Sequence, residues 1–272
     1  MTFQQKLDNL IDKNNSLLCI GLDSDFEKLS KSIRSSKNPQ FEFNKEIIDA
    51  THDLVCVYKP NPAFYEARGV HGIAELKMTC DYLKEQYPEI PIIIDAKRGD
   101  IGNTNKGYAK FVFEYLGADA ITVMPYMGIE SLEVYFSYKD KGVILGCHSS
   151  NPGGAEFQEL RVNGKPLYHL VAEELMKQHG DNPNTMIFMG ATFPEEIASV
   201  RKIIHDMTML VPGVGTQGGD VKTFVEAGKN SKGRGLMINS SRGIIFASNS
   251  KDFAEAARKT AEKLRSEINS FR

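Results

Sequence analysis

The chain has 272 residues, 41% of them hydrophobic and 25% charged, with a formal net charge of −2 and a sequence pI near 6.3. A chain of this length buries a sizeable core without disulfide or metal staples, and its composition is that of an ordinary soluble globular protein. The near-neutral balance argues against a nucleic-acid surface, which shows as a basic domain or stripe, but leaves room for a small anionic ligand held by a few local cations.

In chain order, residues 1–13 read as an amphipathic polar helix, with no apolar run long enough for a signal peptide or a membrane span. Eight short apolar runs follow, at 17–22, 55–59, 92–97, 120–123, 143–147, 186–191, 209–214 and 236–240. Between and after them lie segments of helical period near 41–52, 63–87, 105–116, 127–137, 166–179, 194–207, 220–230 and 251–268. Strands that alternate with helices imply βαβ units and a parallel sheet. Near-continuous apolar stretches such as Pro91-Ile92-Ile93-Ile94 suit strands covered on both faces. Eight repeats fit a closed (β/α)8 TIM barrel better than an open doubly wound sheet, and no G-x-G-x-x-G follows the first run. No composition shift marks an internal boundary, so residues 1–272 read as a single domain. The one long connection, 149–166, is a candidate lid or binding loop. The four cysteines, Cys19, Cys56, Cys80 and Cys147, form no C-x-x-C pair and read as buried free thiols of a reducing cytoplasm.

Barrel enzymes carry their active groups at the C-terminal ends of the strands. The first strand ends in Gly21-Leu22-Asp23, the second in Tyr58-Lys59-Pro60-Asn61-Pro62, and the fifth in Cys147-His148-Ser149-Ser150. The third runs into Asp95-Ala96-Lys97-Arg98-Gly99-Asp100-Ile101-Gly102-Asn103-Thr104. Asp95 and Lys97, two apart on an extended strand, share a face, and Asp100 follows. Nearby carboxylates favour the charged ammonium, which makes Lys97 a poor imine-forming nucleophile and a good proton donor to a developing carbanion. Asp-x-Lys alone is also what a plain ion pair at a strand end looks like; Lys59 and Asp23 on neighbouring strands tip the reading toward a site.

Glycine-rich turns follow the seventh and eighth strands, Val211-Pro212-Gly213-Val214-Gly215-Thr216-Gln217-Gly218-Gly219-Asp220 and Asn239-Ser240-Ser241-Arg242-Gly243. These are the recurrent phosphate positions of the fold, and Arg242 is suited to a bidentate grip. The histidines, at 52, 71, 148, 169, 179 and 205, show no ligand spacing and read mostly as surface residues, His148 alone adjoining a strand end. Asp95 and Asp100 have the chemistry for Mg²⁺, but Lys59 and Lys97 supply the counter-charge, so no metal is expected.

The run from Asp95 to Thr104 resembles the D-x-K-x-x-D-I-x-x-T signature of the orotidine 5′-phosphate decarboxylase family. The stretch 210–220 resembles that family's phosphate loop, and Lys59-Pro-Asn-Pro, Ser149-Ser-Asn-Pro and Asn239-Ser-Ser-Arg242 resemble its longer bacterial subgroup. The likeness runs from about Leu18 to Ala247. It implies conversion of orotidine 5′-phosphate to uridine 5′-phosphate and CO2 in pyrimidine biosynthesis, without cofactor or metal. Lys97 is then the proton donor to C6, Asp95 faces the scissile carboxylate, and Lys59 and Asp23 hold the ribose and complete the charge network. The resemblance further implies a homodimer in which Asp100, Ile101 and Thr104 enter the partner's site. Ser150, with Ser149 as its competitor, bridges the pyrimidine and Gln217. Gln217 and Arg242 hold the phosphate, helped by the backbone of Gly218 and Ser241, and Pro212 belongs to the same substrate-binding set. The segments 149–166 and 217–220 are candidates for closing over the ligand, and neither nucleic acid nor membrane is expected as a partner. Three rivals stay open: a Mg²⁺-dependent sugar-phosphate enzyme of the same superfamily, an imine-forming aldolase barrel, and a non-catalytic nucleotide-binding barrel.

Overall fold

Eight parallel strands stand in a ring in the computed structural model, which describes residues 1–190, 194–213 and 221–272. They are β1 (Leu18–Ile20), β2 (Val57–Tyr58), β3 (Ile93–Arg98), β4 (Ala120–Val123), β5 (Gly142–His148), β6 (Thr185–Met189), β7 (Met209–Pro212) and β8 (Leu236–Ser240). Each pairs with its sequence neighbour, except that β1 also pairs with β8, Leu18 opposite Ile238. The ring is completed between β2 and β3 by a single parallel bridge, Tyr58 opposite Ile92, and by Asp95 N–H donating to the Pro60 carbonyl at 3.0 Å. The (β/α)8 barrel expected from the alternation is therefore the fold.

Parallel strands need a crossover, and the crossovers here are helical. Helices Pro39–Thr51, Gly69–Gln86, Gly102–Ala109, Glu133–Phe136, Leu167–His179, Pro194–Ile204, Val221–Gly228 and Phe253–Asn269 follow the eight strands in turn. Strands β4, β5 and β6 are buried along their whole length, as wall strands under an outer layer of helices must be. Each Ile or Leu so buried contributes roughly 1.5–3 kcal/mol of transfer free energy.

The first helix, Phe3–Asn14, begins with a capping box in which Thr2 and Gln5 exchange hydrogen bonds. It buries Phe3, Leu7, Leu10 and Ile11 and meets the starts of three strands. Phe3 N–H donates to the Asp140 carbonyl at 2.9 Å, Gln4 N–H to Asn184 Oδ1 at 3.1 Å, and Lys6 pairs with Asp119 at 3.1 Å. The N-terminal end of the barrel is covered in this way, and the charged strand ends open at the other.

Some elements depart from the periodic reading. The segment 63–87 is two helices, Ala63–Glu66 and Gly69–Gln86, broken where Gly69 takes φ +61°, a left-handed angle that glycine adopts without steric cost. The helix expected at 105–116 starts earlier, at Gly102, and widens into a π-type turn over Lys110–Tyr115. The segment 127–137 holds only a 3₁₀ turn, Glu130–Leu132, and the short helix Glu133–Phe136. The connection 149–166 is ordered into a 3₁₀ turn (Pro152–Gly154), a helical turn (Ala155–Gln158) and a small hairpin pairing Arg161 with Pro166. All four cysteines are buried and unpaired, as expected. Among the described residues no helix is long and apolar enough to cross a membrane.

Candidate active site

Asp95 is the hub of the open end. Its Oδ2 accepts from Lys59 Nζ at 2.9 Å and its Oδ1 from Lys97 Nζ at 2.7 Å. The Thr122 hydroxyl on β4 also donates to Oδ1, at 2.9 Å. Lys59 is buried at the end of β2, whereas the Lys97 side chain is 48% exposed and looks out of the barrel. One carboxylate thus holds two ammonium groups, one in the wall and one at the opening.

Lys97 does not sit on a regularly extended strand. Its φ is +47°, and the β3–β4 register slips between Ile94 and Arg98. A left-handed non-glycine residue costs on the order of 1–3 kcal/mol and persists only where its surroundings hold it. Thr122 does so: its Oγ1 accepts from Lys97 N–H at 3.0 Å while donating to Asp95. The common facing of Asp95 and Lys97, expected from a two-residue period, depends in fact on this bulge and its threonine bracket.

Burial pushes the Asp95 carboxyl up, but the Lys59 and Lys97 charges and their hydrogen bonds outweigh it and hold Asp95 well below the usual carboxylate range. Burial alone pushes the Lys59 ammonium down; the charges of Asp95 and Asp23 reverse this and raise it above an ordinary lysine. Asp23 therefore belongs electrostatically to the network, and its Oδ1 is buried without a hydrogen-bond partner among the described residues. Cys19, beneath the network, has its thiol pushed up to about 12, chiefly by burial.

Asp100 lies further along the same loop. Its carboxylate accepts from the N–H of Ile101 at 2.7 Å, and among the described residues Lys97 has no ion-pair partner but Asp95. Ile101 and Thr104 face outward, Ile101 being 55% exposed. The loop is anchored from behind by Asn105, fully buried, which donates to the carbonyls of Asp100 at 2.5 Å and Ser131 at 2.8 Å.

The ends of β1 and β8 meet closely: a Cβ on Gly21 would stand 1.8 Å from Ser241 Oγ and 2.8 Å from its Cβ, so any larger residue there displaces the Ser241 side chain. Pro212 lies opposite Asn239 in the β7–β8 register, and Asn239 Nδ2 donates to Ser241 Oγ at 3.3 Å. Arg242 is exposed and its guanidinium makes no hydrogen bond or ion pair among the described residues. Gln217 and Gly218 lie outside the described residues, as does the rest of 214–220.

A family model described as "Orotidine 5'-phosphate decarboxylase / HUMPS family" matches residues 16–259. This chain belongs to the orotidine 5′-phosphate decarboxylase family. The orotidine 5'-phosphate decarboxylase of Cellvibrio japonicus is 49% identical over 99% of this chain and 98% of its own length. That of Cupriavidus necator is 48% identical over 100% and 99%. Among solved structures, the OMP decarboxylase of Leishmania donovani superposes with a TM-score of 0.84 at 35% identity, covering 98% of this chain and 99% of that one.

Within this family member the two serine candidates separate. Ser149 Oγ bonds Asn151 Oδ1 at 2.7 Å and Gln158 Oε1 at 3.1 Å, whereas the Ser150 side chain makes no hydrogen bond among the described residues. Gly190 packs under Ser150, where a Cβ would approach its backbone nitrogen to 2.4 Å. Sequence reasoning missed Thr122 and Asn105; a lone hydroxyl inside the apolar run Ala120–Val123 was the available signal for the first. The expectation that the histidines are mostly surface residues needs correction at His148, which is buried, and at His52, His169 and His179, which are half-buried; only His71 and His205 are exposed.

Proposed function

We propose that the protein decarboxylates orotidine 5′-phosphate to uridine 5′-phosphate and CO2, with fixed charges doing the work of a cofactor and Lys97 protonating C6. The observation that carries the proposal is the alternating network Asp23, Lys59, Asp95 and Lys97 at the barrel mouth, centred on a carboxylate that stays ionised. Cleavage of the C6–carboxylate bond leaves an electron pair at C6 in the plane of the ring, where no π-system delocalises it. A preorganised ammonium beside that carbon stabilises the charge as it develops, often the largest single contribution to catalysis. The Lys97 proton then forms the C6–H bond and leaves a neutral amine, which is reprotonated from solvent.

Asp95, ionised and directed at the same region, raises the energy of the bound carboxylate relative to the transition state. Lys59 is a structural cation rather than an imine former, because its ammonium is held above the ordinary lysine range. The guanidinium of Arg242, exposed and without a hydrogen bond or ion pair among the described residues, supplies the phosphate end together with Ser241, Gln217, Gly218 and Pro212. Binding energy from that remote group is spent on organising the reacting end and closing loops over it. Ser150 reads the pyrimidine. The outward-facing Asp100–Thr104 loop, with Tyr126 90% exposed and Met127 51% exposed nearby, supports a homodimer in which Asp100, Ile101 and Thr104 complete the partner's site. Four buried thiols without a disulfide support a reducing, cytoplasmic setting.

The decisive assay follows the loss of orotidine 5′-phosphate absorbance in excess chelator. Sustained turnover is expected; inactivity restored by Mg²⁺ points instead to the metal-dependent sugar-phosphate chemistry of the superfamily, and borohydride inactivation with substrate to an imine.

A further inference from the structure

Beside the decarboxylation site lies a cluster that the reaction does not use. His148 ends β5 with its side chain 3% exposed, and its Nε2 is buried with no hydrogen-bond partner among the described residues. Nε2 stands 3.4 Å from Glu159 Oε1, and Nδ1 stands 3.3 Å from Glu196 Oε2. One ligand atom from each of the three side chains lies within 4.8 Å of the other two. They come from three elements: the end of β5, the connection after it, and the helix Pro194–Ile204 that follows β6. The ring of Tyr168 stands edge-on to the imidazole, centroids 4.9 Å apart, and walls one side.

A neutral imidazole offers one N–H, so it can satisfy only one of the two carboxylates and turns a lone pair toward the other. Two carboxylates this close also disfavour one another's ionised form. A divalent cation resolves both conflicts. One imidazole nitrogen and two carboxylate oxygens form a three-ligand protein set of the kind Zn²⁺ accepts, with water in the fourth place. Tetrahedral bonds of about 2.0–2.2 Å put donor atoms roughly 3.4 Å apart, so closure on the ion needs movement on the order of 1 Å. Glu159, its side chain 42% exposed, is free to provide it. We infer that His148, Glu159 and Glu196 bind a divalent transition-metal ion of the Zn²⁺ class. The ion pins the connection that carries Ser149 and Ser150 to the next βα unit; it takes no part in the chemistry at C6, so the chelator assay above tests a separate matter.

The test is a titration of metal-free, full-length protein with Zn²⁺ against a chromophoric chelator, with melting temperatures recorded alongside. One equivalent per chain is expected to bind with a dissociation constant on the order of micromolar or tighter and to raise the melting temperature. Glu159→Gln and His148→Gln are each expected to weaken binding at least tenfold, the first at an exposed position where folding is not at stake. Cleavage by protease within 149–166 is expected to slow when Zn²⁺ is present in the wild type and not in Glu159→Gln. Absence of saturable binding overturns the inference, as does binding that survives Glu159→Gln. So does stabilisation that tracks histidine protonation and ignores Zn²⁺, which assigns the cluster to an imidazolium bridging the two carboxylates.

Discussion

Replacing Asp95 by Asn tests the charge network at its centre. The change keeps the shape but removes the charge that faces Lys59 at 2.9 Å and Lys97 at 2.7 Å. Lys59 has a side chain only 3% exposed, and it is left with Asp23 as its remaining named acidic neighbour. Breaking a buried pair by removing one partner costs about 3–5 kcal/mol, whereas the half-exposed Lys97 adds less than about 1 kcal/mol. With a melting entropy of about 2.1 cal/mol/K per residue over 272 residues, that loss lowers the melting temperature by roughly 5–9 °C. Scanning calorimetry at pH 7 reads the shift, and the absorbance assay is expected to show turnover reduced by at least a hundredfold. The pH dependence has a definite sign. Asp95 is depressed in the folded state, so its contribution is complete above the ordinary carboxylate range, about pH 4, and is lost only as pH falls through the lower folded value. Lys59 is raised, so its contribution is complete below about pH 10 and lost only as pH climbs through the folded value. The gap between wild type and variant is therefore expected to hold steady from pH 5 to pH 9. An unchanged melting temperature, or a gap that closes near pH 6, refutes the reasoning, because Lys59 would then be neutralised by something other than Asp95.

Lys97→Ala is expected to fold normally by circular dichroism and to lose at least about 10³-fold in kcat, the span of a general acid and more; mixed with Asp100→Ala under subunit exchange, it should recover part of the activity if the sites are shared between protomers. Thr122→Val keeps the volume but strands the N–H of Lys97 and one lone pair of Asp95, so a stability loss of about 1–3 kcal/mol is expected in denaturant titrations, with kcat reduced more than KM raised. Arg242→Ala is expected to lower kcat/KM by about 10–150-fold, the worth of one charged hydrogen bond, and inorganic phosphate should inhibit the variant less than the wild type. Ser150→Ala should weaken binding of uridine 5′-phosphate in calorimetry, while Ser149→Ala, whose hydroxyl is already engaged by Asn151 and Gln158, should change affinity less.

Strand positions were legible because each run is an unbroken apolar stretch, and a wall strand covered on both faces has no other composition available. β4 and β8 match their expected limits, while β1 and β2 are shorter than their runs at both ends: Leu22 and Lys59 already belong to the turns at the mouth, and Leu17, Val55 and Cys56 precede the paired residues. Helix limits were less legible: a 3.6-residue period reads through Arg68, although Gly69 breaks the helix there, and it cannot register the π-type turn at Lys110–Tyr115. Of the site, Lys59, Asp95 and Lys97 were visible because charge at a strand end is conspicuous. Thr122 and Asn105 were not, since their roles are hydrogen bonds to a carboxylate and to backbone carbonyls that come near only after folding. The grouping of His148 with Glu159 and Glu196 was hidden for the same reason: the two glutamates are separated by 37 positions in the chain, 196 − 159, and meet only because successive βα units are neighbours.

The thinnest join of the cylinder is the one between β2 and β3, where one backbone bridge and one loop hydrogen bond do what a ladder does elsewhere. Lys59 and Asp95 stand on opposite banks of that join and clasp across it. The ion pair at the centre of the charged cluster is thus also a fastening of the wall, and a substitution that removes either charge loosens that fastening. Amide exchange at Tyr58 and Asp95 should quicken first in any variant that discards either charge, so wear on the chemistry would be recorded as breathing of the wall.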